Sequence, residues 1–279
     1  TIKEEGEIVV SAKLFLDIVR RLPEEIVFIE TDERMVTYIA CGKVNYQIVG
    51  MSSVEYPDLP SFEQTDRITL NAKILRDMIR QTVYAVSENT AKPIYTGSLY
   101  EIEDGVFKII AIDGYRMAIR SENVDSESKN RFVVPGKTQH EVLKLLTDDE
   151  ENTEIIIGQR HITFKIKNYR IISRLIEGTF IEYKSAIPKE TKTEVVINTR
   201  TIIDAVERMS LLNNDRIQSP VRCIFSDDEI KLSCTSAVGR ANDVISVPII
   251  GESVEIGFNN RYLLDALKNA DTDEIKLIL

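Results

Sequence analysis

Basic and acidic side chains recur at one helical spacing in this chain, and cationic groups displayed in this way attract phosphate. Each of four segments places a base, an acid four residues later and a second base three residues after the acid. Residues at i, i+4 and i+7 share one face of a helix, so each segment predicts a helix with a mostly cationic stripe opposite its apolar side. The four sets are Lys13, Asp17 and Arg20; Lys73, Asp77 and Arg80; Lys137, Glu141 and Lys144; and Arg261, Asp265 and Lys268.

The cationic stripes stand out because the chain as a whole is acidic, with a net charge of −10. A fifth segment, with Arg200, Asp204, Glu207 and Arg208, is a degraded copy of the same pattern. Positive charge is therefore concentrated on helices of an otherwise anionic protein. This distribution argues against coating nucleic acid with the whole surface, but it allows contact through one restricted positive face. The predicted helical segments are 11–22, 71–86, 135–146, 199–216 and 259–270.

Residues suited to catalysis or metal binding are sparse. The only histidines are His140 and His161, and the cysteines at positions 41, 223 and 234 lack the close spacing of metal ligands. Phosphate-binding loops, dinucleotide-binding motifs and nucleophile elbows are missing from the sequence. We therefore predict no metal and no cofactor, and we interpret the cysteines as structural residues in a reducing compartment. Acidic runs at 148–151 and 227–229 are interpreted as solvated turns.

The segment Asp113-Gly114-Tyr115-Arg116 is the most suggestive short motif. Its plain interpretation is a tight hairpin in which the glycine supplies a positive φ. Tyr115 and Arg116 would then be displayed at a turn, and this pair of residue types is favoured in binding pockets. An α+β enzyme that uses Asp113 and Arg116 is an alternative, which a structure with Asp113 capping its own turn would exclude.

The predicted helices belong to a repeat of about 124 residues. Lys13 precedes Lys137 by 124 residues, and Lys137 precedes Arg261 by the same distance. NYQI at 45–48 returns as NYRI at 168–171, and the turn-rich EYPDLP at 55–60 returns as IEYKSAIP at 181–188. A period of this length indicates whole domains in tandem rather than the units of a solenoid.

One complete unit of the repeat spans residues 67–188. A strand leads into a helix capped by Asn71, three short strands follow, and a second half repeats this β-α-β-β-β order. The connections between strands are too short for parallel crossovers, so the sheets should be antiparallel. The predicted fold class is α+β, with two helices on one side of each unit and small antiparallel sheets on the other.

Seven segments resemble the bacterial sliding clamp family, the β subunit of DNA polymerase III. They are VSAKLFLDIVRRLP, EYPDLP, LRDMIRQTVYAVS, TAKPIYTG, AIDGYRMAIR, VVPGKTQHEVLKLL and GFNNRYLLDAL, and together they extend over essentially the whole chain. The resemblance implies tandem repeats of the DNA clamp fold. It divides the chain into the second half of a first clamp domain at 1–62, a complete second domain at 63–190 and a third domain at 191–279 without its last strands. We therefore expect a fragment of a longer, three-domain protein.

The family resemblance implies a non-enzymatic processivity factor whose two subunits close a ring around duplex DNA. The helices would line the channel and contact phosphates without sequence preference, roughly at the 10⁻⁴–10⁻⁶ M level of non-specific binding in an open fragment. Because both end domains are incomplete, we expect no closed ring from this fragment. The family implies a cytoplasmic, nucleoid-associated protein, and no segment approaches the length of a membrane span. The expected DNA-contacting residues are Lys13, Arg20, Lys73, Arg76, Arg80, Lys137, Lys144, Arg261 and Lys268.

In this family the replicative polymerase, the clamp loader and other proteins insert a short hydrophobic peptide between the second and third domains. The matching positions are Tyr95, Ile112, Gly114, Tyr115, Arg116, Met117, Ile181, Ala186, Asn259 and Tyr262. Ile181 stands where the family often has proline, and the strand that completes the cleft is absent, so we expect weakened peptide affinity. A second alternative is a scaffold that binds only proteins, with the charged stripes serving solubility.

Overall fold

The computed structural model describes residues 1–23, 25–57, 66–147, 151–213 and 219–279. The chain folds into two compact units, residues 1–63 and residues 64–279, which we call the first and second units. Parts of three predicted segments lie outside the described residues, namely 58–60, 148–150 and 214–216. No helix in the described ranges is long and apolar enough to cross a membrane.

Within its described residues, the first unit contains one α-helix, a short 3-10 helix (Ser53–Glu55) and a three-stranded antiparallel sheet. Ser11 begins the helix, because its side chain accepts a hydrogen bond from the Leu14 backbone N–H. Ile18 of the helix packs against Ile39 and Ile48 of the sheet to form a small core. The elements are α1 (Ala12–Val19), β1 (Val27–Thr31), β2 (Val36–Cys41) and β3 (Val44–Val49), with the sheet order β1-β2-β3.

The first part of the second unit, which we call the central module, confirms the predicted pair of β-α-β-β-β halves. The first half comprises β4 (Asp66–Asn71), α2 (Ala72–Val83), β5 (Gly97–Glu103), β6 (Val106–Ile112) and β7 (Met117–Asn123). The second half comprises β8 (Asn130–Pro135), α3 (Gly136–Leu145), β9 (Asn152–Ile157), β10 (His161–Ile166) and β11 (Tyr169–Arg174).

The two halves interlock by exchanging their first strands. The sheets have the orders β7-β6-β5-β8 and β11-β10-β9-β4, and every pairing is antiparallel, as predicted. β4 therefore pairs with a strand of the second half, and β8 pairs with a strand of the first. Each half buries its apolar face only when the other is in place, because neither sheet is complete without a strand from its neighbour.

Local sequence explains the position of α2. The Asn71 side chain accepts hydrogen bonds from the backbone N–H groups of Lys73 and Ile74, at 2.9 and 3.4 Å, and so begins the helix. Leu75, Met78 and Ile79 are fully buried on one face and join the core between the sheets. The charged residues of α2 are consequently turned away from the core.

The C-terminal module of the second unit repeats this plan. Its elements are β12 (Thr193–Asn198), α4 (Thr199–Ser210), β13 (Val221–Ser226), β14 (Glu229–Ser236), β15 (Gly239–Ser246), β16 (Ile249–Gly251), β17 (Val254–Phe258), α5 (Asn260–Lys268) and β18 (Glu274–Ile278). The sheets have the orders β16-β12-β18 and β15-β14-β13-β17. The predicted acidic turn lies between β13 and β14, where Asp227 and Asp228 both have a positive φ.

The predicted helix at 199–216 is too long, because α4 ends at Ser210. Asn213 provides the physical reason. Its side-chain amide donates to the Ser219 carbonyl at 2.8 Å, and its side-chain oxygen accepts from the Ser219 N–H at 3.0 Å. Asparagine thus bonds the backbone of a loop instead of continuing the helix.

Candidate DNA interface and partner cleft

The helices of the second unit that carry the charge pattern pack in two pairs. Helix α2 packs against α3 within the central module, and α4 packs against α5 within the C-terminal module. The two pairs meet where α2 ends, because Arg80 and Gln81 both donate hydrogen bonds to the Asp271 carboxylate, which follows α5. The four helices α3, α2, α5 and α4, which we call the helix row, are thus linked across the modules through Asp271.

Most of the predicted DNA-contacting cations lie on exposed surface. In the helix row, Arg76 and Arg80 are half-buried and the others are exposed, namely Lys73, Lys137, Lys144, Arg261 and Lys268. In the first unit, Lys13 lies on α1 and Arg20 at its end, and both are exposed. Their charges are therefore accessible to a ligand.

The acid of each charge set does not have the same partner in every helix. In α2 and α3 it pairs with the second base of its own set, at 3.6 Å for Asp77 and Arg80 and 2.7 Å for Glu141 and Lys144. In α1 Asp17 instead lies 3.7 Å from Arg21. The regular spacing of the charges thus does not give a regular pattern of ion pairs.

Three of the predicted DNA contacts have carboxylate partners on neighbouring elements, of which the one at Arg261 is the longest, with Glu88 at 3.9 Å. Lys268 lies 2.6 Å from Glu207 of α4, and this hydrogen bond lowers the pKa of the Glu207 carboxyl. Arg80 is bound by Asp271. These two cations brace the helix row, so their attraction for phosphate is weaker than that of an exposed lysine such as Lys73.

The hairpin between β6 and β7 is capped by its own aspartate. One Asp113 oxygen, Oδ1, accepts from the backbone N–H groups of Tyr115 and Arg116 at 2.9 and 3.0 Å, and Oδ2 accepts from Arg116 Nε at 3.0 Å. Gly114 has a φ of +97°, and an added Cβ would meet no atom within 4 Å, so backbone conformation alone favours glycine here. Both oxygens of Asp113 are therefore occupied in capping its own turn. This geometry excludes the alternative of an enzyme that uses Asp113 and Arg116.

Arg116 joins the central and C-terminal modules. Its Nη1 donates to Asp265 of α5 at 2.6 Å, and its Nη2 donates to the Tyr84 carbonyl at the end of α2 at 2.8 Å. The guanidinium also lies 4.4 Å from the centre of the Tyr262 ring and 5.3 Å from that of Tyr84. The side chain is only 15% exposed. Three of its five N–H donors are therefore used within the protein.

The environment of Arg116 keeps it firmly charged. Burial by itself lowers the pKa of the guanidinium, but hydrogen bonds to Asp265 and Asp113 outweigh this effect, and the pKa is raised above its ordinary value. Asp265 is thereby neutralised by a residue of another module instead of by the bases of its own helix. Arg116 contributes to the predicted cleft as a brace between its two sides.

Two further predicted cleft residues lie at α5. The Tyr262 ring stacks on Tyr115, with ring centres 6.1 Å apart, and Tyr115 remains 84% exposed. The side-chain oxygen of Asn259 accepts from the N–H groups of Arg261 and Tyr262 and begins α5. The side-chain NH2 group of Asn259 is therefore the part that remains available to a partner, as a hydrogen-bond donor.

The apolar side of the predicted cleft is partly assembled. Tyr95, Ile112 and Met117 are half-buried around a cluster that includes Phe180 and Tyr183. The rings of Tyr95 and Phe180 meet edge to face, with centres 5.8 Å apart. Two other predicted wall residues, Ile181 and Ala186, are exposed on the same stretch of chain and are not members of this cluster.

Sequence reasoning missed several residues that build this region. Phe180 and Tyr183 anchor the stretch between the modules, while Tyr84 and Asp265 receive Arg116. The repeat itself offered a signal for Tyr183, since IEYKSAIP aligns it with Tyr56 of EYPDLP. The partners of Arg116 carried no comparable local signal.

All three cysteines are buried, and none of them forms a disulfide. Burial raises the pKa of the Cys223 thiol to about 11. Within the described ranges, no group of three or more His, Cys, Asp or Glu side chains is placed to hold a metal ion.

Comparison with known proteins assigns the family. Models of the N-terminal, central and C-terminal domains of the DNA polymerase III beta subunit match residues 1–60, 69–182 and 184–279. A beta sliding clamp from Halalkalibacterium halodurans is 35% identical over 283 residues, which cover 99% of this chain and 74% of the relative. The chain belongs to the beta sliding clamp family.

Solved clamp structures share the fold. The sliding clamp of Bacillus subtilis matches with a TM-score of 0.96 and 34% identity, over 100% of this chain and 75% of the other. A Pseudomonas aeruginosa sliding clamp bound to griselimycin matches with a TM-score of 0.90 and 26% identity, over 99% and 75%. The predicted clamp fold and the predicted function, a DNA sliding clamp that acts as a processivity factor, are confirmed. The clamp is a non-catalytic subunit of the DNA polymerase III holoenzyme.

Proposed function

We propose that the helix row α3, α2, α5, α4 is the surface through which this clamp faces duplex DNA. The observation that supports this proposal is that the helix pairs of the two modules are joined through Asp271 and display exposed cations from each module. Phosphate attraction of this kind needs no groove-reading element and tolerates sliding, because it carries no sequence information. The proposed contacts are Lys73, Arg76, Arg80, Lys137, Lys144, Arg261 and Lys268, with Lys13 and Arg20 of the first unit.

A set of charge reversals tests the DNA surface. Glutamate at Lys73, Lys137 and Arg261 should weaken binding to a short labelled duplex, measured by fluorescence anisotropy over a series of salt concentrations. The slope of log K against log salt should fall by roughly 0.9 for each phosphate contact that is lost.

Three exposed cations on strands and loops provide a matched control. Glutamate at Lys192, Arg222 and Lys231 changes the net charge by the same amount without touching the helix row. If this control weakens binding as much as the helix variant does, overall charge explains the effect, and the helix row is not the DNA surface.

We also propose that short hydrophobic peptides of partner proteins bind beside the Asp113–Met117 hairpin, between the central and C-terminal modules. Tyr95, Ile112 and Met117 supply the apolar floor, and Tyr115 and Tyr262 supply a rim of stacked rings. Aromatic and apolar side chains of this kind are typical of peptide-binding surfaces. The other proposed positions are Gly114, Arg116, Ile181, Ala186 and Asn259.

Griselimycin provides a probe for the cleft, because a related clamp binds it in a solved structure. Met117→Glu places a charge in the apolar floor and should abolish binding measured by calorimetry. Val196→Glu, an exposed position on β12, should leave the affinity unchanged. Unaltered binding by the Met117 variant would exclude this cleft as the site of that ligand.

We further propose domain boundaries at 62/63 and 190/191, and a nucleoid-associated location in the cytoplasm. The family-model matches support three successive clamp domains: the gap at 61–68 contains the first proposed boundary, and the third match begins at 184, a few residues before the second. The nucleoid location follows from the proposed attraction to DNA. Fluorescence microscopy of a labelled full-length clamp, compared with its helix-row variant, tests the location.

A further inference from the structure

The stretch at 180–186 crosses the β5–β8 edge of the central module on its way to the C-terminal module. Phe180 and Tyr183 are buried against Leu99 and Val133 of that sheet. Ile181 and Ala186, two proposed wall residues of the cleft, lie on the same stretch and are exposed. The position of this wall therefore depends on how the stretch is held against the sheet.

A polar cluster holds the stretch in addition to the apolar contacts. Glu101 of β5 and Arg131 of β8 lie directly opposite each other in the sheet. The Tyr183 hydroxyl donates to Glu101 Oε1 at 2.7 Å, and Lys184 Nζ lies 3.9 Å from the same oxygen. Glu101 thus binds the stretch through two consecutive residues.

Arg131 extends the same cluster toward the proposed cleft. Its guanidinium lies 3.8 Å from Glu101 Oε2 and 3.6 Å from Glu182 Oε2, and its Nη2 donates to the Ile181 carbonyl at 3.4 Å. The backbone of Ile181 is in this way connected to the charge of Glu101. Displacing Glu101 would release both the buried Tyr183 and the orientation of Arg131.

Glu101 is an unusual residue for its position. It is 7% exposed, on a strand whose other residues from Gly97 to Ile102 are also buried. A buried carboxylate is unfavourable unless it is paired, and an apolar residue of similar size would commonly give at least equal stability. The advantage of a carboxylate here is that its hydrogen bonds are directional. They define the position of the stretch at 180–186 more narrowly than apolar packing does.

The Tyr183 hydroxyl is adapted to this contact. Burial first, and then the hydrogen bond to Glu101, raise the pKa of the phenol well above its ordinary value. The hydroxyl therefore keeps its proton and stays a donor at neutral pH.

We propose that Glu101 is a positioning residue of the partner cleft, which holds the Ile181 and Ala186 wall in place through Tyr183 and Arg131. The inference rests on the cleft proposed above and adds residues that do not themselves touch the peptide. Its consequence is that peptide affinity depends on a carboxylate buried beneath the wall.

Tyr183→Phe is the direct test, because it removes one hydroxyl and keeps the buried ring. Two quantities are measured on the full chain: hydrogen exchange of the amides in 180–186 and the affinity for griselimycin. A hydrogen bond to a charged group makes a difference of about tenfold or more, so amide protection should fall about tenfold and affinity should fall severalfold. Tyr169→Phe, at an exposed tyrosine of β11, is the matched control and should change neither quantity.

Two substitutions of Glu101 add a readout that a general loss of packing would not produce. Glu101→Gln keeps an acceptor for the Tyr183 hydroxyl and should retain most of the affinity. Glu101→Leu removes the acceptor and should resemble Tyr183→Phe. Equal losses in the glutamine and leucine variants would overturn the positioning role.

The Met117→Glu variant distinguishes an error in the positioning role of Glu101 from an error in the location of the cleft. If Met117→Glu abolishes griselimycin binding while Tyr183→Phe lowers protection but not affinity, the cleft stands and the positioning role is overturned. If Met117→Glu has no effect on binding, the cleft proposal fails and the inference built on it fails too. Unchanged protection in Tyr183→Phe would overturn the inference in either case.

Discussion

Removing the Arg116 guanidinium should loosen the junction between the central and C-terminal modules. Arg116→Met keeps much of the side-chain length but loses hydrogen bonds to Asp113, Asp265 and Tyr84. It also removes a cation packed between two tyrosine rings. The variant leaves Asp265 without its partner, which is unfavourable because the carboxylate is only 32% exposed.

The magnitude follows from these contacts. Hydrogen bonds to charged groups contribute roughly 1.5–3 kcal/mol each when buried. The exposure of Asp265 reduces its share through solvent screening, and the ring contacts add roughly 0.5–1 kcal/mol. We expect Arg116→Met to lower the free energy of unfolding by about 3–5 kcal/mol and Asp265→Asn by about 1 kcal/mol.

A double-mutant cycle isolates the Arg116–Asp265 contact. The two single variants and the double variant are unfolded with guanidinium chloride. The coupling free energy should be about 1 kcal/mol, provided that the dependence of the unfolding free energy on denaturant concentration does not change. Arg116→Lys should recover only part of the loss, because one ammonium cannot reach the three acceptors at once.

The exposed pair Arg222 and Glu255 is the control for this cycle. It joins β13 to β17 with the same two chemical groups, both 54% exposed, so its coupling should be close to zero. If the Arg116–Asp265 coupling is no larger than that of the control pair, Arg116 does not brace the two modules.

Three further outcomes are expected. Asp271→Asn should raise the affinity for duplex DNA in the anisotropy assay, because it removes the carboxylate that neutralises Arg80. The buried Cys223, with its thiol pKa raised to about 11, should react with Ellman's reagent only after denaturation, whereas fast reaction of the native protein would show that the thiol is accessible. A hydrogen bond from Lys165 lowers the pKa of Glu154, so Glu154 stabilises the fold above its unfolded pKa and loses this effect as pH falls through its folded pKa. Glu154→Gln should therefore lower the urea midpoint at neutral pH and make little difference at strongly acid pH.

Much of the local structure could be predicted from the sequence. The order of elements in the central module, the antiparallel sheets, the Asn71 cap and the Asp113–Gly114 hairpin all depend on patterns within a few residues. The periodicity of apolar residues is itself the physical cause of these elements, because a helix or strand must bury one face. The internal repeat then indicated tandem modules.

Longer-range partners could not be predicted in the same way. Regular spacing placed Asp265 beside the bases of its own helix, whereas the structure pairs it with Arg116, 149 residues away in sequence. Helix α4 is shorter than its pattern indicated, because Asn213 bonds a loop residue. In the sequence, Glu101 resembles an ordinary strand residue, and only the folded structure shows that it is buried and bonded to Tyr183.

The sequence alone determined which segments are helices and strands, where the positive charge lies and which family the chain resembles. Tertiary structure decided that β4 and β8 exchange sheets, that the end of α2 meets the residues after α5, and which acid each base contacts. The reason is physical: backbone conformation responds to neighbouring residues, whereas the partner of a charge depends on which surfaces the packed core brings together.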